Sequence, residues 1–412
     1  MDYFPLIIVS IVLIATALRS NSLFRAEIWM IMALGAVIVI AVGSISFSDA
    51  IKSINFDVIV FLFFMFLLSE ILEQSGFLYV MEYRFFNNAK SIDALLLTAI
   101  FSMAMLSYIF MNDTIAIIGT PLMLFISKKS GIPAKIMLLC LAFSITLGSV
   151  PSPIGNPQNL IIASSAGFRE PFSVFAKYLL VPSIINLFAV FFVLKIIFKS
   201  DFERIGNMYN QKAKSVELKS DNKSKYIVLV LILFIIVWVL LRILFKDINI
   251  PLYFIPVIPS LYGLLISKKK TDIIKKIDYK TLIFFISMFI LMKSLYLKHQ
   301  PDILFESVKY IKNVPSTMAF SILISQIISN VPFATLFVDS VKNNATPEIY
   351  ASLAAGSTIA GNLFILGAAS NVIIIQRAER DNVSLSFIDF AKCGIILTLI
   401  NYVIYYLFFL LV

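Results

Sequence analysis

Polar residues in this chain fall into short clusters, and between them run long stretches of Ile, Leu, Val and Phe with little polar interruption. Phe4 to Leu18, Ile28 to Phe47, Phe56 to Ser69, Phe172 to Phe198, Tyr226 to Phe245 and Phe387 to Val412 are of this kind. Helices that are apolar on all sides belong in a core or in hydrocarbon, not at a water-facing surface. A spanning helix needs about 20 mostly apolar residues, so the pattern predicts an all-α polytopic membrane protein of about ten transmembrane helices. It leaves no stretch for a soluble domain.

Composition agrees. Of 412 residues 60% are hydrophobic and 14% charged, and the mean hydropathy is +0.94, far from the balance of a water-soluble domain. The first apolar run follows Met-Asp-Tyr without basic residues, and Arg19 closes it without a small-residue cleavage site, so it reads as a retained span. Cys140 and Cys393 sit in apolar segments and are expected to pack as small hydrophobes. They supply neither a disulfide framework nor a thiol metal site.

The net charge of +10 is gathered in loops, chiefly Lys199 to Lys225 and Lys268 to Lys280, and carries no nucleic-acid-binding motif. Membrane orientation accounts for it, with both clusters on the cytoplasmic side. Two spans lie between them, near 225–245 and 252–266, which is consistent with one side for both clusters. Both termini then face outward. With no organellar signal in view, the expected location is the cell membrane, with the lipid bilayer as the partner phase.

The two halves repeat one another. Asp57 with Phe63-Phe64 matches Asp278 with Phe284-Phe285 at an offset of 221 residues, Ser107 to Asn112 matches Ser325 to Asn330 at 218, and Gly155 to Asn159 matches Gly367 to Asn371 at 212. The charge-based topology makes the span of Asp57 run inward and that of Asp278 outward, so the repeats are inverted, as in many secondary transporters. The expected organisation is two inverted five-helix repeats, 1–198 and 225–412, joined by a cytoplasmic linker at 199–224. Each repeat carries a re-entrant hairpin, at 92–127 and 314–341, and a discontinuous helix, at 134–167 and 348–375.

The breaks are where chemistry is expected. Met111-Asn112-Asp113-Thr114 and Ser329-Asn330-Val331-Pro332 interrupt the hairpins, and Gly148 to Asn159 and Gly356 to Asn371 interrupt the other pair. Irregular backbone cannot face lipid, so it must line a cavity or lie buried in protein. Half-helix N-termini favour anions, while unwound carbonyls and side-chain oxygens suit small cations. Segments 111–116, 148–159, 328–334 and 356–371 contain no Lys, Arg or His. Asp113 is their one acid. It can ligate a cation, carry a coupled proton or cap the returning half-helix. Glu70 and Glu73 read as a solvated pair at the cytoplasmic end of their helix, Asp339 as an outer-interface residue, and His299 as part of a polar outer loop.

Ser152-Pro153-Ile154-Gly155-Asn156-Pro157-Gln158-Asn159, together with Asn112-Asp113-Thr114, Ser329-Asn330-Val331-Pro332 and Gly361-Asn362, resembles the ion-transporter superfamily over nearly the whole chain. That group holds citrate-transporter-like permeases, divalent anion:sodium symporters, arsenite permeases and sodium/proton antiporters. The symporters carry Ser-Asn-Thr at their hairpin tips. Here Met111 replaces the first Ser and Val331-Pro332 follows Asn330, which looks more like the arsenite-permease branch. The resemblance implies a scaffold and a transport unit that moves in an elevator-like way, and a homodimer. It also implies ion and substrate contact by Asn112, Asp113, Thr114, Ser149, Gly155, Asn156, Asn159, Ser329, Asn330, Asn362, Ser370 and Asn371. The function expected is secondary active transport of a small anion or oxyacid coupled to sodium or protons, with no other cofactor. The alternative is a sodium/proton antiporter of the same fold. An enzyme is not expected, because there is no close His/Asp/Glu cluster and no G-x-x-x-x-G-K-[ST].

Overall fold

The computed structural model describes residues 4–18, 27–75, 89, 91–206, 224–244, 250–297, 313–341 and 346–412, and these are helices joined by short turns. Of the expected linker, helix Lys199–Gly206 is described and 207–223 is not. His299 also lies outside the described residues, and of Asp339 only the helical backbone is described.

One group of helices comprises α1 (Phe4–Leu18), α2 (Ile28–Ala41), α3 (Phe47–Ser53) and α4 (Phe56–Gln74) from the first half. Lys199–Gly206 counts as α10. From the second half the first group adds α11 (Ser224–Leu244), α12 (Phe254–Ile266), α13 (Lys270–Lys276) and α14 (Tyr279–Leu297). Within it α14 packs on α2 and α12 on α4. Asn55 caps α4 by accepting from the Val58 amide, and Asp278 caps α14 by accepting from the Thr281 amide, whereas Asp57, the match of Asp278, lies in the first turn of α4.

The second group holds every break. In the first half it contains α5 (Ile92–Phe110) and α6 (Asn112–Ser130), α7 (Ala134–Ser149) and α8 (Pro157–Ser165), and α9 (Pro171–Ile197). In the second half it contains α15 (Val314–Ile328) and α16 (Asn330–Val341), α17 (Pro347–Leu363) and α18 (Ala369–Arg380), and α19 (Phe387–Phe409). The halves exchange parts: α6 packs against α18, and α16 against α8. Contacts to the first group run through α4 with α6 and α8, and through α14 with α16.

Among the described residues, α5, α9 and α19 are long and apolar enough to cross a membrane, and α3 with α4 forms a pair bent by 55° that qualifies together. Shorter apolar helices are Trp29–Ala41, Ala134–Ser149, Tyr226–Leu241 and Phe254–Ile266, of which Ala134–Ser149 ends at a break. Large apolar residues on the outer faces of α2, α9, α12 and α19, among them Leu34, Val37, Ile196, Leu265 and Leu399, are exposed. Such a surface requires lipid around it.

The hairpin breaks are tighter than the four-residue interruptions expected from sequence. Each is one residue, Met111 with φ 70° and Ser329 with φ 68°, after which Asn112 and Asn330 already begin the returning helix. Positive φ in a residue with a side chain costs about 1–3 kcal/mol and persists only where the surroundings hold it. Met111 is fully buried, and the next amide, of Asn112, donates to the Gly155 carbonyl at 2.8 Å. The other two breaks span 150–156 and 364–368, so Gly356 and Gly361 lie inside α17, not in an unwound segment. Gly148 is needed for packing. A Cβ there would stand 2.3 Å from the Ala104 carbonyl oxygen on α5.

Candidate functional site

Between the two groups lies a cavity of about 850 Å³. From α4 it is lined by Phe66, Ser69, Glu70 and Glu73, from the first hairpin by Asn112, Asp113 and Thr114, and from the second by Ser329, Asn330 and Val331. Pro157 and Gln158 open α8 into it, and Asp278, Thr281, Phe284 and Phe285 of α14 close the opposite wall. Both hairpin tips therefore meet one space, as does the matching Phe284-Phe285 pair.

Asn112 turns its side-chain oxygen back to the Asp113 amide at 2.9 Å, which satisfies one of the free N–H groups at the start of α6. Thr114 shares a 2.9 Å hydrogen bond with Ser69, linking the hairpin to α4. Asp113 is half-buried on the cavity wall beside them.

Of the twelve residues expected at the site, Asn112, Asp113, Thr114, Ser329 and Asn330 line the cavity, and seven stand behind it. Ser149, Asn156 and Asn159 hold the first break together. Asn159 donates to the carbonyls of Ser149, Val150 and Ser152 at 3.0–3.1 Å. The Asn156 amide donates to Ser149 at 2.9 Å, and its oxygen accepts from the Asn159 amide at 2.8 Å. Gly155 packs onto Ser149 so closely that a Cβ would lie 2.6 Å from that residue's carbonyl oxygen.

In the second break the Asn371 side chain donates to the Gly361 carbonyl at 2.7 Å, and the Asn362 side chain to Asn401 at 3.1 Å. The Oδ1 atoms of Asn330, Asn362 and Asn371 and the Oγ of Ser370 are buried without a hydrogen-bond partner. Asn362 follows Gly361 in the chain, Asn371 donates to the Gly361 carbonyl, and a Cβ added to Gly361 would lie 3.6 Å from Asn330 Nδ2.

Sequence reasoning missed Thr358 and Gln158. Thr358 accepts from Asn156 at 3.3 Å and Gln158 at 3.4 Å and donates to Asn159 at 3.2 Å, which ties α17 to the first break. Thr358 matches Thr146 at the same offset of 212 residues that aligns the breaks, a signal present in the sequence.

The mouth carries ion pairs between elements. Lys280 donates to both oxygens of Glu27 at 2.7 Å, and that ammonium holds the Glu27 carboxyl below its ordinary range. Arg377 of α18 pairs with Glu73 of α4 at 3.2 Å, and Lys276 lies 3.9 Å from Glu70. The Glu70–Glu73 pair expected at a wet interface thus borders the cavity. Among the described residues no cluster of three or more His, Cys, Asp or Glu is suited to a metal, and Cys140 and Cys393 are free and buried.

A helical body with a lipid-facing surface, a cavity reached by two hairpin tips and broken helices behind it are the architecture of a multi-pass membrane transporter. The chain belongs to the CitMHS citrate transporter family, whose model matches residues 10–353. It is 26% identical over 402 residues to a 46 kDa membrane protein of Mycobacterium leprae, covering 89% of this chain and 90% of that one. It is 34% identical over 131 residues to the silicon efflux transporter LSI3 of Oryza sativa, covering 32% of this chain and 27% of the relative. Among solved structures it is similar in fold to the YdaH transporter of Alcanivorax borkumensis, with a TM-score of 0.54, 15% identity and coverage of 98% and 95%.

Proposed function

We propose that this protein is a secondary active transporter of a small anion or oxyacid, coupled to sodium or protons, and that it works by elevator-type alternating access. In this reading the halves 1–198 and 225–412 are inverted repeats, and the group with the breaks moves past the group with α4 and α14. The cavity mouth lies beside Lys276, Lys280 and Glu379, on the side that the positive charge assigns to the cytoplasm. The state is then inward-facing. The protein acts as a homodimer in this proposal, as its family resemblance implies.

One observation carries the substrate reading. The cavity is lined by Glu27, Glu70, Glu73, Asp113, Asp278 and Glu379 against Lys276 and Lys280 as the basic residues, and both lysines are near carboxylates of the wall. A free tricarboxylate entering that field is repelled. A neutral or singly charged oxyacid is not, and the hydroxyls and amides of Ser69, Thr114, Asn112, Ser329 and Asn330 offer it donors and acceptors. The partnerless oxygens of Asn330, Asn362, Ser370 and Asn371 supply hard ligands of the kind a sodium ion takes. Asp113 and Asp278, both on the wall, favour the antiporter as second reading.

Uptake into proteoliposomes separates these readings. A panel of silicic acid, arsenite, phosphate, sulfate, citrate and succinate is offered under an imposed sodium or proton gradient, with wild type compared with Asp113→Asn. Gradient-driven uptake of silicic acid or arsenite that the variant loses is the expected result. Sodium/proton exchange without solute movement would establish the antiporter instead.

A further inference from the structure

Deep in the second group, away from the cavity wall, three fully buried asparagines form a chain. Asn362 at the end of α17 donates its Nδ2 to Asn401 Oδ1 of α19 at 3.1 Å, and Asn401 donates its own Nδ2 to Asn186 Oδ1 of α9 at 2.7 Å. A side-chain amide has one acceptor end and one donor end, so a chain of amides has a direction. Here the Asn186 oxygen takes the Asn401 donor, Asn401 turns its oxygen to the Asn362 donor, and the Asn362 oxygen is left facing away from that bond.

That last oxygen is one of the buried atoms without a partner around the second break. The backbone there is held as well. Gly394 of α19 lies so close to α17 that an added Cβ would stand 2.1 Å from the Asn362 carbonyl oxygen and 2.7 Å from that of Leu363. The end of α17 is thus fixed by Gly394 through its backbone and by Asn401 through its side chain.

The two outer asparagines are counterparts. Asn186 and Asn401 lie 215 residues apart, as do Ser183 and Thr398, within the range of offsets that aligns the rest of the two halves. Helices α9 and α19, which carry them, pack together, and Ser183 adds a 2.6 Å hydrogen bond to Tyr405 across the same contact. The relay itself is one-sided. The residue matching Asn362 at the offset of 212 is Val150, which has no amide to offer, and the Asn186 Nδ2 is left without a partner.

We infer that Asn401, oriented by Asn186, is a positioning residue for the coupling cation, holding Asn362 with its oxygen turned into the second break. The inference rests on the cation-coupled reading above, with sodium as the ion. Neither Asn401 nor Asn186 touches the cation. Such a chain gives orientation because each bond in it pairs the donor of one amide with the acceptor of the next.

The test is thermal unfolding of the purified full-length protein as sodium chloride replaces choline chloride at constant ionic strength. Wild type is expected to gain stability saturably with sodium. Asn401→Leu removes the acceptor for Asn362 and is expected to raise the half-saturating sodium concentration about ten-fold, the effect of about one lost hydrogen bond. Asn401→Asp keeps an acceptor for Asn362, and Asn186 can turn its Nδ2 to the other carboxylate oxygen, so half-saturation should stay within about three-fold of wild type. Should Asn401→Leu not fold, Asn186→Leu removes the start of the relay and is expected to weaken sodium in the same direction. A role in packing alone would lower the melting temperature in choline and leave half-saturation where it was, and that result overturns the inference. A wild type that gains nothing from sodium overturns the sodium-coupled reading first and the inference with it.

Discussion

The two long breaks carry matching residues and differ in what their asparagines do. In the first, Asn159 is saturated by the carbonyls of Ser149, Val150 and Ser152 and by Thr358, and Asn156 by Ser149, Thr358 and the Asn159 amide. In the second, Asn371 makes one bond to the Gly361 carbonyl, and its oxygen, like those of Asn330, Asn362 and Ser370, has no partner. One break is fastened by its own asparagines, and the other keeps partnerless oxygens. Burying an oxygen without a partner costs about 1–3 kcal/mol, and in the proposed function a bound cation offsets that cost. The lesson concerns matching motifs: equal residues at equal offsets do not make equal chemistry.

The largest expected effect separates the two breaks. Asn159→Ala strips three buried carbonyls of their donor and is expected to cost about 3 kcal/mol or more, while Asn371→Ala, which strips one, costs about 1 kcal/mol. Thermal unfolding of both variants checks the order, and equal losses would break the comparison. Next comes Gly394→Ala, which forces a methyl into the carbonyls of Asn362 and Leu363. It is expected to destabilise by about 1–3 kcal/mol and to weaken sodium binding along with it. Thr358→Val keeps the shape and removes the link between α17 and the first break, for about 1 kcal/mol. In an Asn159→Ala background that loss should shrink, since Asn159 is one of its partners, and a double-mutant cycle reads the difference.

The smallest effect belongs to the mouth. Glu27→Gln removes an exposed pair with Lys280 and should shift the melting temperature by about 1 °C or less. Because Lys280 lowers the folded-state pKa of Glu27, the stability from this pair is present above the unfolded carboxylate pKa. It is lost as pH falls through the folded value. Melting curves of wild type and variant should therefore converge in acid.

Much of this was legible in sequence. The breaks announced themselves because Pro, Gly and Asn in an apolar run cannot face lipid, and the hairpin bounds at Ile92 and Val314 lie directly after the capping residues Ser91 and Asn313. The sequence predicts four-residue interruptions at the tips, yet Asn112 and Asn330 start helices. An Asn or Asp is as much at home in the first turn of a helix as in a loop, and only a positive φ at Met111 and Ser329 tells the two apart. Thr358, Asn186 and Asn401 were passed over because a lone polar residue in an apolar helix gives no local signal. Their offsets of 212 and 215 residues were the cue. The pairs Lys280–Glu27 and Arg377–Glu73 join residues 253 and 304 positions apart, and no local pattern announces them.

The claim that one group of helices moves past the other is tested most directly where they touch through Glu73 of α4 and Arg377 of α18. Cysteines at both positions, in a background with Cys140 and Cys393 replaced by alanine, are joined by a reducible bifunctional thiosulfonate. Transport of the accepted solute is then measured in proteoliposomes. The account predicts that the joined protein stops transporting and that reduction restores it; full transport by the joined protein would contradict it.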